Sequence, residues 1–411
     1  MPASSFRGAR ALAALATTSV LTLAFALPAA AQSAPPPGAN PLRIGVIGPF
    51  TGASADFGVP MLNGVQQAVD EINAGGGYLG RRLELVRKDD QADPALGLKL
   101  SQELVGEKVS ATIGFCNTGV AAKAIEVYQA SQTPLIIPCA TGAALTSRYP
   151  GPDSYIFRTA PRDSIQAPFV VDEILARGWD KVAVFADTTG YGETGLQEVE
   201  KALSAKGLKP VHVARFGLGV KDLGAELGAA RAAGANVIFS YTVGPENAVI
   251  ARGRQAMDWK VAQVGGWTLS FPYFLEGAGP AAEGALMAQT FIGEPSNERR
   301  RAFLSSYTAK FKVKRIPVPM AAAQGYDAVY ILVYALFGIR DGKLDGAAIK
   351  AALEGKIRTY YGVVATYDQP FTRQDKDAVT QNMLVMGVVR NGAVTFAHPE
   401  DAKRNLFVQR K

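Results

Sequence analysis

The sequence is poor in the residues that carry most metal and nucleophilic chemistry. Its 411 residues include two histidines, His212 and His398, and two cysteines, Cys116 and Cys139. Two histidines leave little room for histidine-based metal sites or triads. Two cysteines exclude an all-cysteine iron–sulfur cluster or a four-cysteine zinc site within one chain. An excess of one charge sign is also missing: 43 Lys+Arg stand against 36 Asp+Glu, a net +7. Basic residues bunch only at Arg299–Arg301 and Lys310–Arg315, so no nucleic-acid partner is expected.

Catalytic signatures are absent as well. Gly342-Lys343 and Gly355-Lys356 lack the upstream glycine and following Ser/Thr of a phosphate loop. No G-x-S-x-G elbow, HExxH pair or EF-hand loop occurs. Two stretches match G-x-G-x-x-G. The one at Gly75–Gly80 follows a helical pattern, the wrong context for a dinucleotide turn. The one at Gly190–Gly195 lies between strand and helix, but Asp187-Thr188-Thr189 separate it from the strand. The next strand closes on Arg215-Phe216, not on an acid for a ribose. A glycine-rich cleft loop is the better reading. The chain therefore reads as a binder rather than an enzyme, with no metal and no cofactor expected.

What is present is ample core material, 48% hydrophobic residues, which rules out global disorder. The N-terminus reads as an export signal. Arg7 and Arg10 precede the uncharged apolar stretch Ala11–Leu27, and Ala29-Ala30-Ala31 supplies small residues for cleavage near Ala31. Residues 1–31 are thus assigned to a signal peptide and 32–41, rich in Pro, Ala and Gly, to a disordered leader. No later run reaches the roughly 18 apolar residues of a membrane span.

From Leu42 on, short apolar strands alternate with helical patterns. Arg43–Gly48, Leu83–Lys88, Ala111–Phe115 and Leu135–Ile137 read as strands. Between them lie helical stretches at Pro60–Ile72, Pro94–Glu107 and Gly119–Ala130. Tyr155–Ala160 reads as a crossover, after which the rhythm restarts with strands at Lys181–Ala186, Val211–Phe216, Val237–Tyr241 and Val261–Gly265. Near-continuous apolar strands separated by helices indicate parallel sheets covered on both faces. The fold class is α/β, with two doubly wound parallel-sheet lobes. The short strands expected at Val363–Tyr367, Met383–Val389 and Ala393–Phe396 read as an antiparallel appendage.

The order and spacing of several segments resemble a known family. They are Ile44–Gly52 (IGVIGPFTG), Asn63–Asn73 (NGVQQAVDEIN), Gly75-Gly76, Asp89-Asp90 with Pro94, Pro134–Thr141 (PLIIPCAT), Phe157-Arg158-Thr159 and Tyr191-Gly192. From about Leu42 to its end the chain is similar to type I periplasmic solute-binding proteins of the branched-chain amino acid (Leu/Ile/Val-binding) group, which serve ABC importers. The resemblance implies three hinge crossings, with lobe one formed by 42–161 and 287–360 and lobe two by 162–286 and 361–411. It also implies a periplasmic monomer with no catalytic residues. Such a protein captures a small carboxylate between the lobes and hands it to an inner-membrane permease with its ATPase subunits. The ligand would be a hydrophobic or branched-chain amino acid or an aromatic acid. A ligand-sensing receptor module of the same fold is the alternative reading; an exported hydrolase or amidase is a third.

The resemblance implies site residues. The loops at Cys116–Gly119 and Pro138–Thr141 would hold the ligand carboxylate, which points to Asn117, Thr118, Cys139, Ala140 and Thr141. The physical reading agrees for Asn117 and Thr118, since a helix N-terminus presents free N–H groups and a favourable dipole to an anion. Phe57 would lie over the ligand, with ordinary helix packing as the alternative. Tyr191, Tyr241 and Val243 stand at strand ends of lobe two and are expected in the cleft. Trp267 falls where amino-acid binders of the family commonly have a glutamate for the ligand ammonium. Either Asp187 or Glu246 takes that part, or the ligand has no ammonium. In this reading Cys116 and Cys139 end neighbouring strands, whose spacing of ~4.8 Å permits a disulfide. The family's usual pair differs, because Ala92 stands where its other cysteine would be. Two buried free thiols are the alternative.

Overall fold

The computed structural model describes residues 40–406 and 408–409. The expected signal segment, and the leader up to residue 39, lie outside the described residues. Among the described residues, no helix is long and apolar enough to cross a membrane.

The first strand, β1 (Leu42–Gly48), is apolar along almost its whole length because both its faces are covered. It is followed by α1 (Ala55–Ala74), β2 (Leu83–Asp89), α2 (Pro94–Gly106), β3 (Ala111–Gly114), α3 (Thr118–Ala130), β4 (Leu135–Ile137), the short α4 (Ala144–Ser147) and β5 (Ile156–Arg158). These strands form one parallel sheet in the order β2-β1-β3-β4-β5. The run read as a crossover at Tyr155–Ala160 thus contains a fifth strand, and the chain leaves the sheet only after it. Because β2 and β3 lie on opposite sides of β1, the order reverses there, which opens a crevice beyond the carboxyl ends of β1 and β3.

The second sheet repeats the device. Its elements are α5 (Asp163–Ala176), β6 (Val182–Asp187), α6 (Gly190–Ser204), β7 (His212–Phe216), α7 (Gly224–Ala232), β8 (Val237–Tyr241), α8 (Glu246–Ala256), β9 (Ala262–Gly265), α9 (Pro272–Ala278) and β10 (Leu286–Gln289). After it come α10 (Glu298–Phe311), α11 (Pro319–Leu336), α12 (Gly346–Gly355), β11 (Thr359–Tyr361), β12 (Thr366–Asp368), β13 (Val385–Arg390), β14 (Ala393–Phe396) and β15 (Val408–Gln409). The sheet order is β14-β13-β10-β9-β8-β6-β7, with every pairing parallel except β10–β13 and β13–β14. The order reverses at β6, so the second crevice lies beyond β6 and β8.

The expected lobe boundaries need correction. Met287–Gln289 belongs to β10 and pairs with β9 and β13, so the chain returns to lobe one after 289, not after 286. Val363, Val364, Tyr367, Phe371 and Leu384 pack in the core of lobe one, so the change back comes at about residue 384 rather than 360. The reason is Asp327 of α11, which accepts the Val363 and Val364 amides (2.9 and 3.0 Å) and the Tyr367 hydroxyl (3.0 Å). This ties the hairpin of β11 and β12 to lobe one. The strands taken for an appendage, β13 and β14, extend the sheet of lobe two, while β15 returns to pair with β12.

Candidate functional site

The two crevices face each other. The loop after β3 carries Asn117 and Thr118 at the start of α3; the loop after β6 carries Gly190 at the start of α6. The lobes meet there backbone to backbone. A Cβ placed on Gly190 would stand 2.9 Å from Gly119 Cα. No side chain fits between them.

On the lobe-one side, Asn117 occupies the N-cap position of α3 but does not cap it. Its Nδ2 donates to Ser54 Oγ (3.2 Å), and its buried Oδ1 has no partner. The first-turn N–H groups of α3 therefore keep no side-chain acceptor, as an anion site requires. Thr118 is buried and accepts the Gly142 amide (3.2 Å), which joins the two expected carboxylate loops. Thr141 is buried, and its hydroxyl makes no bond of good geometry. Ala140 departs from expectation in one respect. Its amide is spent on Phe115 O (3.0 Å), so it lines the floor without offering a donor.

Cys116 and Cys139 are buried free thiols, which corrects the expected disulfide. They do come together beneath the two loops. Burial first, then the bonded Cys139 thiol, pushes the Cys116 thiol well above its ordinary range. The two buried thiols share a hydrogen bond, and Cys116 is held protonated rather than as a thiolate poised to react.

Lobe two contributes aromatic groups, in two separate sets. Phe57 packs against Trp267 edge-on (6.4 Å) and against Phe271 (4.9 Å), and Trp267 meets Phe271 at 4.8 Å and 90°. Phe57 reaches this set from lobe one, so the trio bridges the cleft. Tyr191 instead pairs with Tyr241 at 4.8 Å. It lies in the first turn of α6 rather than in an open loop, because Thr189 Oγ1 caps that helix by accepting the Tyr191 and Gly192 amides. Val243 is half-buried at the rim, its amide held by Asp187 Oδ2 (2.7 Å).

Several participants were not singled out from the sequence. Asp163, the first residue of α5, has no exposed surface. Its Oδ1 accepts the Tyr241 hydroxyl (2.8 Å) and Gln166 Nε2 (3.2 Å). Burial pushes its carboxyl up to about 6, against the lowering pull of Tyr241, Thr141 and Arg158. Gln166 Oε1 in turn accepts the Trp267 amide (3.3 Å). The one available signal was the run of polar residues Arg162, Asp163 and Gln166 straight after a strand, a position where a crossover would otherwise be apolar. Beside the aromatic trio, a groove of about 830 Å³ opens between the lobes. Asp56, Ser270, Glu276, Phe291 and Ile316 are among the residues that line it.

Two facing α/β crevices with a buried polar floor and an aromatic wall define a cleft-type ligand binder. Residues 41–393 match the periplasmic binding protein family, and the chain belongs to it. Among its relatives is Leu/Ile/Val-binding protein homolog 3 of Brucella melitensis, 30% identical over 80% of this chain and 87% of that one. A crystal structure of a periplasmic binding protein type 1 from Bordetella pertussis superposes with a TM-score of 0.78. It is 24% identical and covers 87% of this chain and 99% of its own. The branched-chain amino acid substrate-binding protein LivJ from Streptococcus pneumoniae, solved with isoleucine, superposes at 0.73. It is 25% identical over 86% of this chain and 97% of its own.

Proposed function

We propose that this chain is the exported, periplasmic capture component of an ABC importer, with a small carboxylate carrying an apolar body as its ligand. The observation that carries the reading is the uncapped start of α3, with Asn117 and Thr118, set across the cleft from the aromatic pair and trio. The anion end of a ligand gains from the free N–H groups and the helix dipole, roughly 0.3–2 kcal/mol from the dipole alone. The apolar end gains from burial against ring faces. The Brucella relative is named for leucine, isoleucine and valine, and the Streptococcus protein was solved with isoleucine, which supports an apolar amino acid. Lobe closure buries the ligand, and a permease with its ATPase subunits reads the closed form of a monomer. No bond in the ligand is made or broken.

A thermal-shift panel of Leu, Val, Phe, benzoate and 4-hydroxyphenyl acids tests this. A ligand present at 100 times its Kd stabilises by about 2.7 kcal/mol, enough to move the melting temperature measurably. At least one member should do so and be recovered chemically unchanged. A panel without any shift, or a transformed ligand, sinks the reading.

A further inference from the structure

We propose that lobe one carries a second binding site, outside the interlobe cleft, for a small organic cation whose nitrogen is fully alkylated. The inference is independent of what the cleft takes.

The site begins with a spacing in the sequence. Tyr326, Tyr330 and Tyr334 stand four residues apart on α11 and so share one face of that helix. Beside that face, α10 adds Phe303 and β11 adds Tyr360 and Tyr361. Together they line a pocket of about 460 Å³ that draws on five of the chain's 14 tyrosines. Filling a core does not account for them all, since Tyr334 and Tyr361 are 54% and 65% exposed.

The rings meet at angles rather than in a flat stack: Tyr326 and Tyr330 at 4.9 Å and 46°, Tyr334 and Tyr360 at 5.5 Å and 61°. A group seated in the pocket therefore touches more than one ring, and ring faces attract cations. One ring of the set already holds a cation, because the Arg299 guanidinium lies 5.5 Å from the centre of Tyr361. That guanidinium is committed there, to Gly362 O (3.0 Å) and Thr366 Oγ1 (3.1 Å).

Glu71 of α1 supplies the charge. Its Oε2 accepts the hydroxyls of Tyr326 (2.5 Å) and Tyr330 (3.0 Å), and its Oε1 accepts Gln67 Nε2 (3.0 Å). Among the described residues no Lys, Arg or His pairs with it, whereas Asp70 next to it holds Lys310. Burial, with the Glu71 carboxylate adding to it, pushes both phenols up, Tyr330 to about 12, so they remain protonated donors. A carboxylate has about four acceptor sites, and three of these are taken. Glu71 thus keeps its negative charge but can answer few further N–H donors. A primary ammonium brings three such donors, which ring faces do not satisfy. A trimethylammonium group brings none, and its charged methyl shell packs directly on the rings.

The test titrates the purified chain with choline and with 3,3-dimethylbutan-1-ol, in which carbon replaces the nitrogen and the charge is lost. Binding is read by saturation-transfer NMR. Choline should bind at the millimolar level or better, about tenfold or more tighter than the alcohol. Ethanolamine, the primary amine, should bind more weakly than choline. E71Q should bring choline down to the level of the alcohol, and Y334L should weaken it about threefold or more. Absence of choline binding at tens of millimolar overturns the proposal, as does equal binding of choline and the alcohol. So does ethanolamine binding as tightly as choline, or a choline affinity unchanged in E71Q. Should E71Q not fold, Y334L decides, since that ring is exposed: an unchanged choline affinity there overturns it. Neither residue belongs to the cleft, so a failure here leaves the carboxylate reading untouched.

Discussion

Arg158 has no exposed surface, yet it makes hydrogen bonds to the carbonyls of Thr141 and Gly142 and an ion pair with Asp377, 219 residues away. Burial would raise the Asp377 carboxyl, but the Arg158 charge and bond, then Arg162 and Thr146, outweigh it and hold the group below its ordinary range. A depressed folded pKa adds stability that is complete above the unfolded value near 4 and is lost as pH falls through the folded one. Acid unfolding below about pH 4 should therefore shift to higher pH in D377N, with a loss of about 3–5 kcal/mol at neutral pH by chemical denaturation. Asn117 invites a second test. N117D places a like charge where the ligand carboxylate is read to lie, and calorimetry should show affinity falling about tenfold or more. Most of the expected residues could be placed from the sequence because strand ends and helix starts are marked by turns and glycines. Asp163 could not, since nothing in a one-dimensional pattern shows that Arg158 is already engaged by a residue at 377.

At the scale of elements, close helix contact depends on missing side chains. In α1, a Cβ on Gly64 would stand 2.0 Å from Ala322 O of α11, and in α11 one on Gly325 would lie 2.8 Å from Met61 O. The helices can cross only backbone to backbone. Gly64→Ala should therefore cost about 1–3 kcal/mol or more in urea denaturation, despite the better helix propensity of alanine. The parallel strands and the helices between them were legible because both faces are buried and their sequences run apolar. Four helices were not, and the first of them, α4, has only 4 residues. Helix α5 carries Pro168 in its interior, which argues against a helix until its surroundings are known. Helices α9 and α12 are short, with 7 and 10 residues, and leave little room for a period to declare itself. Strand β5 was read as a crossover because only three residues of it pair before the chain turns away.

For the whole molecule, the approach of Gly119 and Gly190 leaves no room for a side chain where the lobes meet. A bulky residue at 190 meets the Gly119 backbone rather than a movable side chain. G190L should leave the melting temperature of the free protein nearly unchanged. Its ligand affinity should fall about tenfold or more, and the ligand-induced drop in radius of gyration by small-angle scattering should disappear. Two lobes and a cleft were readable from the two successive sets of strands and helices. Where the chain changes lobe was not, because that depends on which core accepts 363–384, and Asp327 decides it. The resulting interleaving has a consequence for biosynthesis. The first half of the fold begins at residue 42, takes in residues up to about 384, and receives its last strand pairing from Val408–Gln409. A polypeptide delivered N-terminus first, from a ribosome or through a secretion channel, must arrive almost whole before that half can shut. Its early strands therefore need protection from proteases and from one another for nearly the entire time of delivery.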